Sequence, residues 1–344
     1  MNAELKYLHA LHLALGSEPQ IFLKTLEKFP DAASAWQTHG KHEINPDSEM
    51  EKLASAGILA IDKSSPEYPA LLKEIHDAPA ILYIKGKLPW GNDERDWTIG
   101  IVGTRKPTEY GKQIARQFGE ELASGGAVVV SGCAVGIDRE AHVGALRGHG
   151  KTVAVIGSGL DRESFFPQAN WAIAETIAKE GGAVISEYPP GTPALPHHFP
   201  ERNRIIAGLS QGVIVVEAQE KSGALITARL ALGENRDVFA VPGPITSLTS
   251  RGPNILLKEG ATPALSAADI FEAYGRTKEI SETAETALAG LDKEIFGLLA
   301  SPHSLDELKQ ALGAETSAIQ ASLALLELQN KIHETEPGIY ARRA

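Results

Sequence analysis

Six short apolar runs follow one another from about residue 98: TIGIVG, AVVVSG, TVAVIGSG, AVISEY, GVIVVEA and DVFAVPG. Each is near-continuous in apolar residues, the pattern of a strand buried on both faces. Amphipathic stretches separate them, beginning near Tyr110, Ile137, Asn170, Pro200 and Ser222. This βα alternation leaves few foldings open and predicts an α/β protein built on a doubly wound parallel sheet. In such a sheet ligands bind beyond the carboxyl ends of the strands, where loops meet helix N-termini.

The flanks read differently. Residues 1–65 carry helical patterns at 4–15, 19–29, 32–38 and 48–56 without strand-like runs, which predicts a small helical domain. Proline-rich turns then lead into the sheet domain, 66–275, with ILYIKG as an additional strand. RTKEISETAETA, residues 276–287, is polar and poor in branched apolar residues, as a linker should be. Residues 288–344 show three helical patterns, the second capped by Ser304, and then KIHET and GIYAR flanking Glu336-Pro337-Gly338 as a hairpin. Three helices and a hairpin predict a winged helix. Its third helix has no cation before Lys331 and contains Glu327, whereas a helix reading a duplex groove presents cations to phosphates. The expected role of this domain is therefore protein contact or regulation.

Composition narrows the function classes. At 344 residues the chain exceeds one compact core, and its 43% hydrophobic content contains no block long enough to span a membrane. The first residues mix Glu4, Lys6 and two histidines among leucines and lack the charge pattern of a secretory signal, so a cytoplasmic location is expected. The single cysteine, Cys133, excludes an internal disulfide and any multi-cysteine metal site; placed at the end of AVVVSG, it reads as a packing residue. A net charge of -11 argues against a protein that coats nucleic acid by bulk attraction. A polyanion would need a local site, and residues 103–116 carry Arg105, Lys106, Lys112 and Arg116 against Glu109 alone.

Four strand-end loops outline such a site: Gly103-Thr104-Arg105, Ser131-Gly132, Gly157-Ser158-Gly159 and Ser222-Gly223. Each brings backbone N–H groups and a small residue to a helix start, where an anion is favoured. Glycine also simply ends strands, so any one loop is weak; four on one sheet edge outline a phosphate-accepting crevice. Known nucleotide signatures are missing. The third glycine of the dinucleotide fingerprint is replaced by Arg162, and no Walker A loop is present. Ser131, Ser158, Ser186 and Ser222 lie near strand ends, but none stands in a nucleophile elbow. Asp138 and His142 share a helix face and read as a helix-starting acid and a packed imidazole; His197-His198 lacks a third ligand. No metal, cofactor or catalytic residue is expected.

The segment FPERNRIIAGLS places Pro200 at a helix start, with Arg202, Asn203 and Arg204 in its first turn. At about 100° per residue Arg202 shares the face of Ile205, Ile206 and Leu209, while Arg204 points the other way. Arg202 is thus expected to brace the helix against Glu187 or Glu217, and Arg204 with Asn203 to face the crevice and fork onto phosphate. Phe199 reads either as a hydrophobic staple or as a platform for a stacked base.

Taken together, GTRKPTEYG, SGCAVGIDREAH, GSGLDRESFFPQAN, SEYPPGTP, FPERNRIIAGLS, VVEAQEKSGALITARLAL, VFAVPGPI and GPNILLKEGA resemble the DNA-processing protein A (DprA/Smf) family through most of residues 66–270. The resemblance implies a Rossmann-like domain that binds single-stranded DNA and acts as a homodimer. It implies loading of the RecA recombinase onto incoming strands in natural transformation, among other single-strand-binding or competence proteins of DNA uptake. It also implies an N-terminal domain like a sterile-alpha-motif fold and, in some members, a C-terminal winged helix. Carried over by motif, DNA contacts fall on Gly103, Thr104 and Arg105, on Ser131 and Gly132, on Phe199, on Asn203 and Arg204 within the R-N-R motif that starts at Arg202, and on Lys221, Ser222 and Gly223. The dimer segment falls on Asn254, Ile255, Leu256 and Leu257. Thr104 stands where serine is commoner, Val135 where many members carry arginine, and His197-His198 where some have lysine, which narrows the positive patch.

The expected function is a non-enzymatic single-strand DNA binder and recombination mediator. A phosphoribohydrolase would use a similar crevice, but such enzymes carry P-G-G-x-G-T-x-x-E where this chain reads VVEAQEKSGALITA. An NAD-dependent oxidoreductase has only the broken glycine motif in its favour.

Overall fold

Every one of the six apolar runs is a strand, and so is ILYIKG. The computed structural model describes residues 3–16, 19–90, 97–276, 290–328, 331–336 and 338–342. The chain divides into two units, 1–277 and 278–344, and most of the expected linker, from 277 on, lies outside the described residues.

In the first unit α1 (Ala3–Leu15), α2 (Pro19–Leu26), α3 (Ala32–His39) and α4 (Pro46–Ser55) precede β1 (Ile58–Asp62), α5 (Ala70–Lys73) and β2 (Ile81–Gly86). The alternation follows: β3 (Thr98–Val102), α6 (Glu109–Ser124), β4 (Val128–Ser131), α7 (Ile137–Arg147), β5 (Thr152–Val155), α8 (Trp171–Lys179) and β6 (Ala183–Ser186). It continues with α9 (His198–Leu209), β7 (Gly212–Val215), α10 (Gly223–Gly233), β8 (Asp237–Ala240), α11 (Arg251–Lys258), β9 (Thr262–Pro263) and α12 (Ala267–Ala273). The strands form one sheet in the order β1-β2-β6-β5-β4-β3-β7-β8-β9. The strands from β3 to β9 pair in parallel, and β1 and β2 are added antiparallel at one edge. Strands β4, β5 and β6 extend on one side of β3 and β7, β8 and β9 on the other, so the switch point lies beside β3.

Alternate residues of each strand feed two cores. Val213 and Val215 of β7 pack with Ile205, Ile206 and Leu209 of α9 on one face. Ile214 and Val216 pack with Ile99, Ile101, Phe118 of α6 and Ile137 of α7 on the other. Each fully buried aliphatic chain contributes about 1.5–3 kcal/mol of transfer free energy, which explains why Val, Ile and Ala dominate these runs and polar residues such as Thr98, Ser131, Thr152 and Ser186 are confined to their ends.

Two boundaries differ from the sequence expectation. Residues 1–65 do not stand apart from the sheet: Leu5, Leu8 and Leu11 of α1 share a core with Tyr83 of β2 and Ala154 of β5. Residues 58–62, placed by the sequence within the 1–65 domain without an element of their own, are the edge strand β1, paired residue by residue with β2. A five-residue strand flanked by helices carries too little periodicity to separate it from a turn. The Tyr83 hydroxyl lies 2.9 Å from His9 Nδ1 and 3.4 Å from His12 Nδ1, tying α1 to the sheet.

Helix α11 also corrects an expectation. Leu256, read as dimer surface, turns inward, while Asn254 stays half-buried and is tied to the preceding loop. Leu256 is buried in the sheet core, and the Asn254 amide donates to the Gly243 carbonyl at 3.0 Å while its oxygen accepts from Gly243 N at 3.3 Å. An eight-residue helix has two sides, and the ILL run spans both. Ile255 and Leu257 are half-buried.

The second unit contains α13 (Leu291–Leu298), β10 (His303–Ser304), α14 (Leu305–Leu312), α15 (Thr316–Leu328), β11 (Ile332–Glu336) and β12 (Ile339–Arg342). Its strands form a sheet in the order β10-β12-β11, with the expected hairpin between the last two. Ser304 caps α14 through a reciprocal box with Glu307, and Gly313 closes that helix at φ 62. Ile295, Leu308, Ile319, Leu323 and Leu326 make its own core.

Candidate functional site

The carboxyl ends of β3, β4 and β7 meet α9 around a cavity of about 560 Å³. Gly103 and Arg105 line it from the loop after β3, Ala134 and Asp138 from the loop and helix after β4, and Ser222 and Gly223 from the start of α10. Phe199, Arg202 and Asn203 line it from α9, and Phe166 from the loop before α8. This is the position the switch-point rule gives.

Several loops are held in place by glycine. A Cβ on Gly132 would collide with the Arg202 guanidinium and the Asp138 carboxylate. Gly136, at φ 92, lets the α7 N-terminus pass against the backbone of Thr104 and Arg105. Ser222 caps α10 through Ala224 N, and the Asn203 amide donates to the Gly223 carbonyl at 3.3 Å, so α9 and α10 meet at the rim.

Helix α9 begins at His198, two residues before the expected start. Pro200 is its third residue, still inside the first turn where a missing N–H loses no helix bond. The buried His198 ring stacks on Tyr188 at 4.0 Å. Its backbone lies against Gly157, so the Gly157-Ser158-Gly159 loop is covered by the start of α9 and does not line the cavity.

The two arginines of α9 exchange the expected roles. Arg202 is buried as predicted, 3% exposed, but it pairs with neither Glu187 nor Glu217. Its Nη1 donates to the Val155 carbonyl at the end of β5, its Nε has no partner, and the side chain lines the cavity. Burial lowers its pKa, opposed by the neighbouring Asp138 charge. Asp138 accepts from the Gly103 and Ala134 N–H groups, and burial raises its carboxyl against the pull of Arg202. Arg204, expected at the crevice, is instead ion-paired with Glu187 at 2.5 Å, with side chains 12% and 4% exposed. Helical phase does not decide these directions because α9 is buried around most of its circumference, including Arg202, Asn203 and the run from Ile205 to Leu209. A helix without a solvent face gives a polar side chain no default direction. Glu217 serves neither arginine. It accepts from Thr108 N at 2.8 Å, Thr108 Oγ1 at 2.7 Å and Thr249 Oγ1 at 2.9 Å, fixing the start of α6.

The remaining sequence-predicted residues sort by geometry. Arg105 is exposed and lies over the Phe199 ring at 4.8 Å, a cation–π pair at the rim. Thr104 is turned to the loop itself, its hydroxyl accepting from Lys106 N at 3.2 Å. Ser131 is fully buried and its hydroxyl donates to the Ile101 carbonyl at 2.6 Å, so only its backbone belongs to the loop. Lys221 is exposed beside Ser222 and does not line the cavity. Of the four cations in 103–116, Arg116 is spent on Glu140 at 2.5 Å and Lys112 on Glu109 at 2.6 Å. Cys133 is buried with its thiol pushed up to about 12 by burial. His142 donates from Nδ1 to Thr152 Oγ1 at 2.7 Å, because the Thr152 hydroxyl hydrogen goes to the Val129 carbonyl. Burial holds the ring neutral, its pKa down at about 3.

Sequence reasoning missed Phe166 and the lining role of Asp138. Phe166 is 45% exposed and meets Phe199 at 5.7 Å and 59°. Its signal was the FFP triplet, two adjacent aromatics of which only one can enter the core. Among the described residues no group of three or more His, Cys, Asp or Glu is placed to hold a metal, and no helix is long and apolar enough to cross a membrane.

Residues 60–275 match the family described as DNA recombination-mediator protein A. The chain belongs to that family. Among its relatives, the DNA processing protein DprA of Bacillus subtilis is 46% identical over 216 residues, 63% of this chain and 71% of the relative. The solved DNA processing protein A of Streptococcus pneumoniae superposes with a TM-score of 0.65 at 35% identity, covering 78% of this chain and 97% of that one. The Helicobacter pylori DNA processing protein A, whose structure describes a single-stranded DNA binding mode, gives 0.54 at 30% identity over 63% of this chain and 95% of that one. The Rossmann-like sheet of the recombination-mediator family is thus the fold of this chain.

Proposed function

We propose that the protein binds single-stranded DNA at the switch-point cavity and acts as a recombination mediator without catalysing a reaction. The observation that carries this reading is the pairing of Arg105 with Phe199 at the rim, above a floor holding the buried Arg202. A guanidinium suits a phosphate, and the aromatic face beside it suits an unstacked base. The backbone amide of Gly223 at the start of α10, with Ser222 and the exposed Lys221, extends the phosphate track. A duplex hides its base faces, so single strands are preferred.

In this reading the protein works in the cytoplasm on DNA entering by natural transformation and hands the strand to a RecA-type recombinase. Homodimerisation uses the half-buried Ile255 and Leu257 of α11 together with Ile245 and Leu248 in the preceding loop, which are 86% and 58% exposed. The 290–342 unit, with its three helices and small sheet, serves as a winged helix for protein contact.

Fluorescence polarisation with labelled oligonucleotides tests the central claim. Single strand should bind more tightly than duplex, Arg105→Ala should weaken binding about tenfold, and affinity should fall steeply with salt as counterions are released. Equal affinity for duplex and single strand, or an Arg105→Ala variant that binds like the parent, would refute it.

A further inference from the structure

Beside the main cavity lies a second, of about 400 Å³, and the two share Phe166 and Ala194 as a common wall. Both volumes fall within the range of about 300–1,000 Å³ usual for ligand pockets. Their charge differs. The first is lined by Arg105 and Arg202 against Asp138 alone. The second has no lysine or arginine in its lining and includes Asp161 and Glu163.

The Asp161 carboxylate is occupied within its loop, accepting from Ser164 Oγ at 2.5 Å, Ser164 N at 3.1 Å and Gly191 N at 2.6 Å. Glu163 is exposed, and among the described residues no donor engages it. A cavity so lined repels a phosphate but accepts the neutral, hydrogen-donating edge of a base. Phe166 presents an aromatic ring between the two spaces, nearly half exposed although an apolar core lies one residue away at Phe165.

We infer that Phe166 parts two successive bases of a bound strand, one entering the cationic cavity and the next entering the acidic one, where Glu163 accepts from an exocyclic amino group. This rests on the single-strand reading above and adds a base preference to it. Cytosine presents an N4 amino donor where thymine presents an O4 acceptor, so the second cavity favours cytosine. The backbone stays on the Arg105 side, and only the base crosses the ring of Phe166.

The test is polarisation binding of oligo-dC and oligo-dT of equal length to the full chain. The parent should bind oligo-dC several-fold more tightly. Glu163→Gln should raise affinity for oligo-dT, because a negative charge is removed, while the preference for oligo-dC falls. Phe166→Ala should weaken both by about tenfold, the usual loss for one stacked base. Phe166→Trp keeps an aromatic face and should retain binding, with its indole fluorescence quenched when DNA is added. An unchanged dC-to-dT ratio in Glu163→Gln, or parental binding by Phe166→Ala, overturns the inference. If Arg105→Ala also binds like the parent, the single-strand reading itself fails; if Arg105→Ala is weakened, only the divided-base arrangement fails.

Discussion

Glu187 sits at the end of β6 almost without solvent, and burial pushes its carboxyl up while Arg204 pulls it back down. Removing one member of such a pair strands the other charge. Arg204→Ala is therefore expected to destabilise the protein by about 3–5 kcal/mol, read as a lower urea midpoint with unchanged slope. Replacing both partners together, Arg204→Met with Glu187→Leu, should recover most of that loss. Arg202 behaves otherwise: its guanidinium reaches the cavity floor, so Arg202→Lys should weaken DNA binding by more than it lowers stability, as polarisation and melting together would show. The sequence made it legible that these two arginines differ, because their helical spacing separates them. It did not disclose which one meets the cavity, since that depends on where β5 and α5 lie around α9.

Helices α6 and α7 approach each other through glycine. A Cβ on Gly144 would meet the Arg116 carbonyl, and one on Gly119 the Ala141 carbonyl, so neither helix can carry a side chain at the crossing. The Arg116–Glu140 ion pair bridges the same two helices. In an isolated helix alanine is better than glycine by about 1 kcal/mol, but here Gly144→Ala must push backbone from backbone. The expected outcome is a net loss of about 1–3 kcal/mol by chemical denaturation; a more stable variant would show that the helices slide apart freely. At this scale the sequence was informative about the strands, whose unbroken Val and Ile runs have one comfortable home. It was less so about β1, about the start of α9, and about Leu256, where three-dimensional neighbours decide which side of a short element is inside.

Across the molecule, acid should act through histidines. Burial lowers His12 and His142 to about 3 and His9 to about 4. The ordinary value is 6.5, so between 6.5 and these folded values the unfolded chain binds protons that the folded chain refuses. Stability contributed by these neutral rings is complete above 6.5 and declines as pH falls, each group costing about 1.4 kcal/mol per pH unit at full slope. Urea unfolding at pH 7 and pH 5 should show this decline, and His142→Gln should flatten it. A chain ending at residue 276 should keep its cooperative melt and its single-strand affinity, because the described core of the 278–344 unit is made from that unit's own residues.

The cations of the cavity belong to a chain whose net charge is -11. Approach and departure of a DNA strand should therefore respond to salt in opposite senses. At low ionic strength, where the Debye length reaches about 30 Å, an approaching strand is repelled by the net-negative chain, and modest salt should screen this and speed its arrival. Once seated against Arg105 it is held by short-range attraction, and the same salt should shorten its stay. Stopped-flow mixing would separate the two rates. Under the single-strand reading, the protein captures strands slowly and selects among them by residence time.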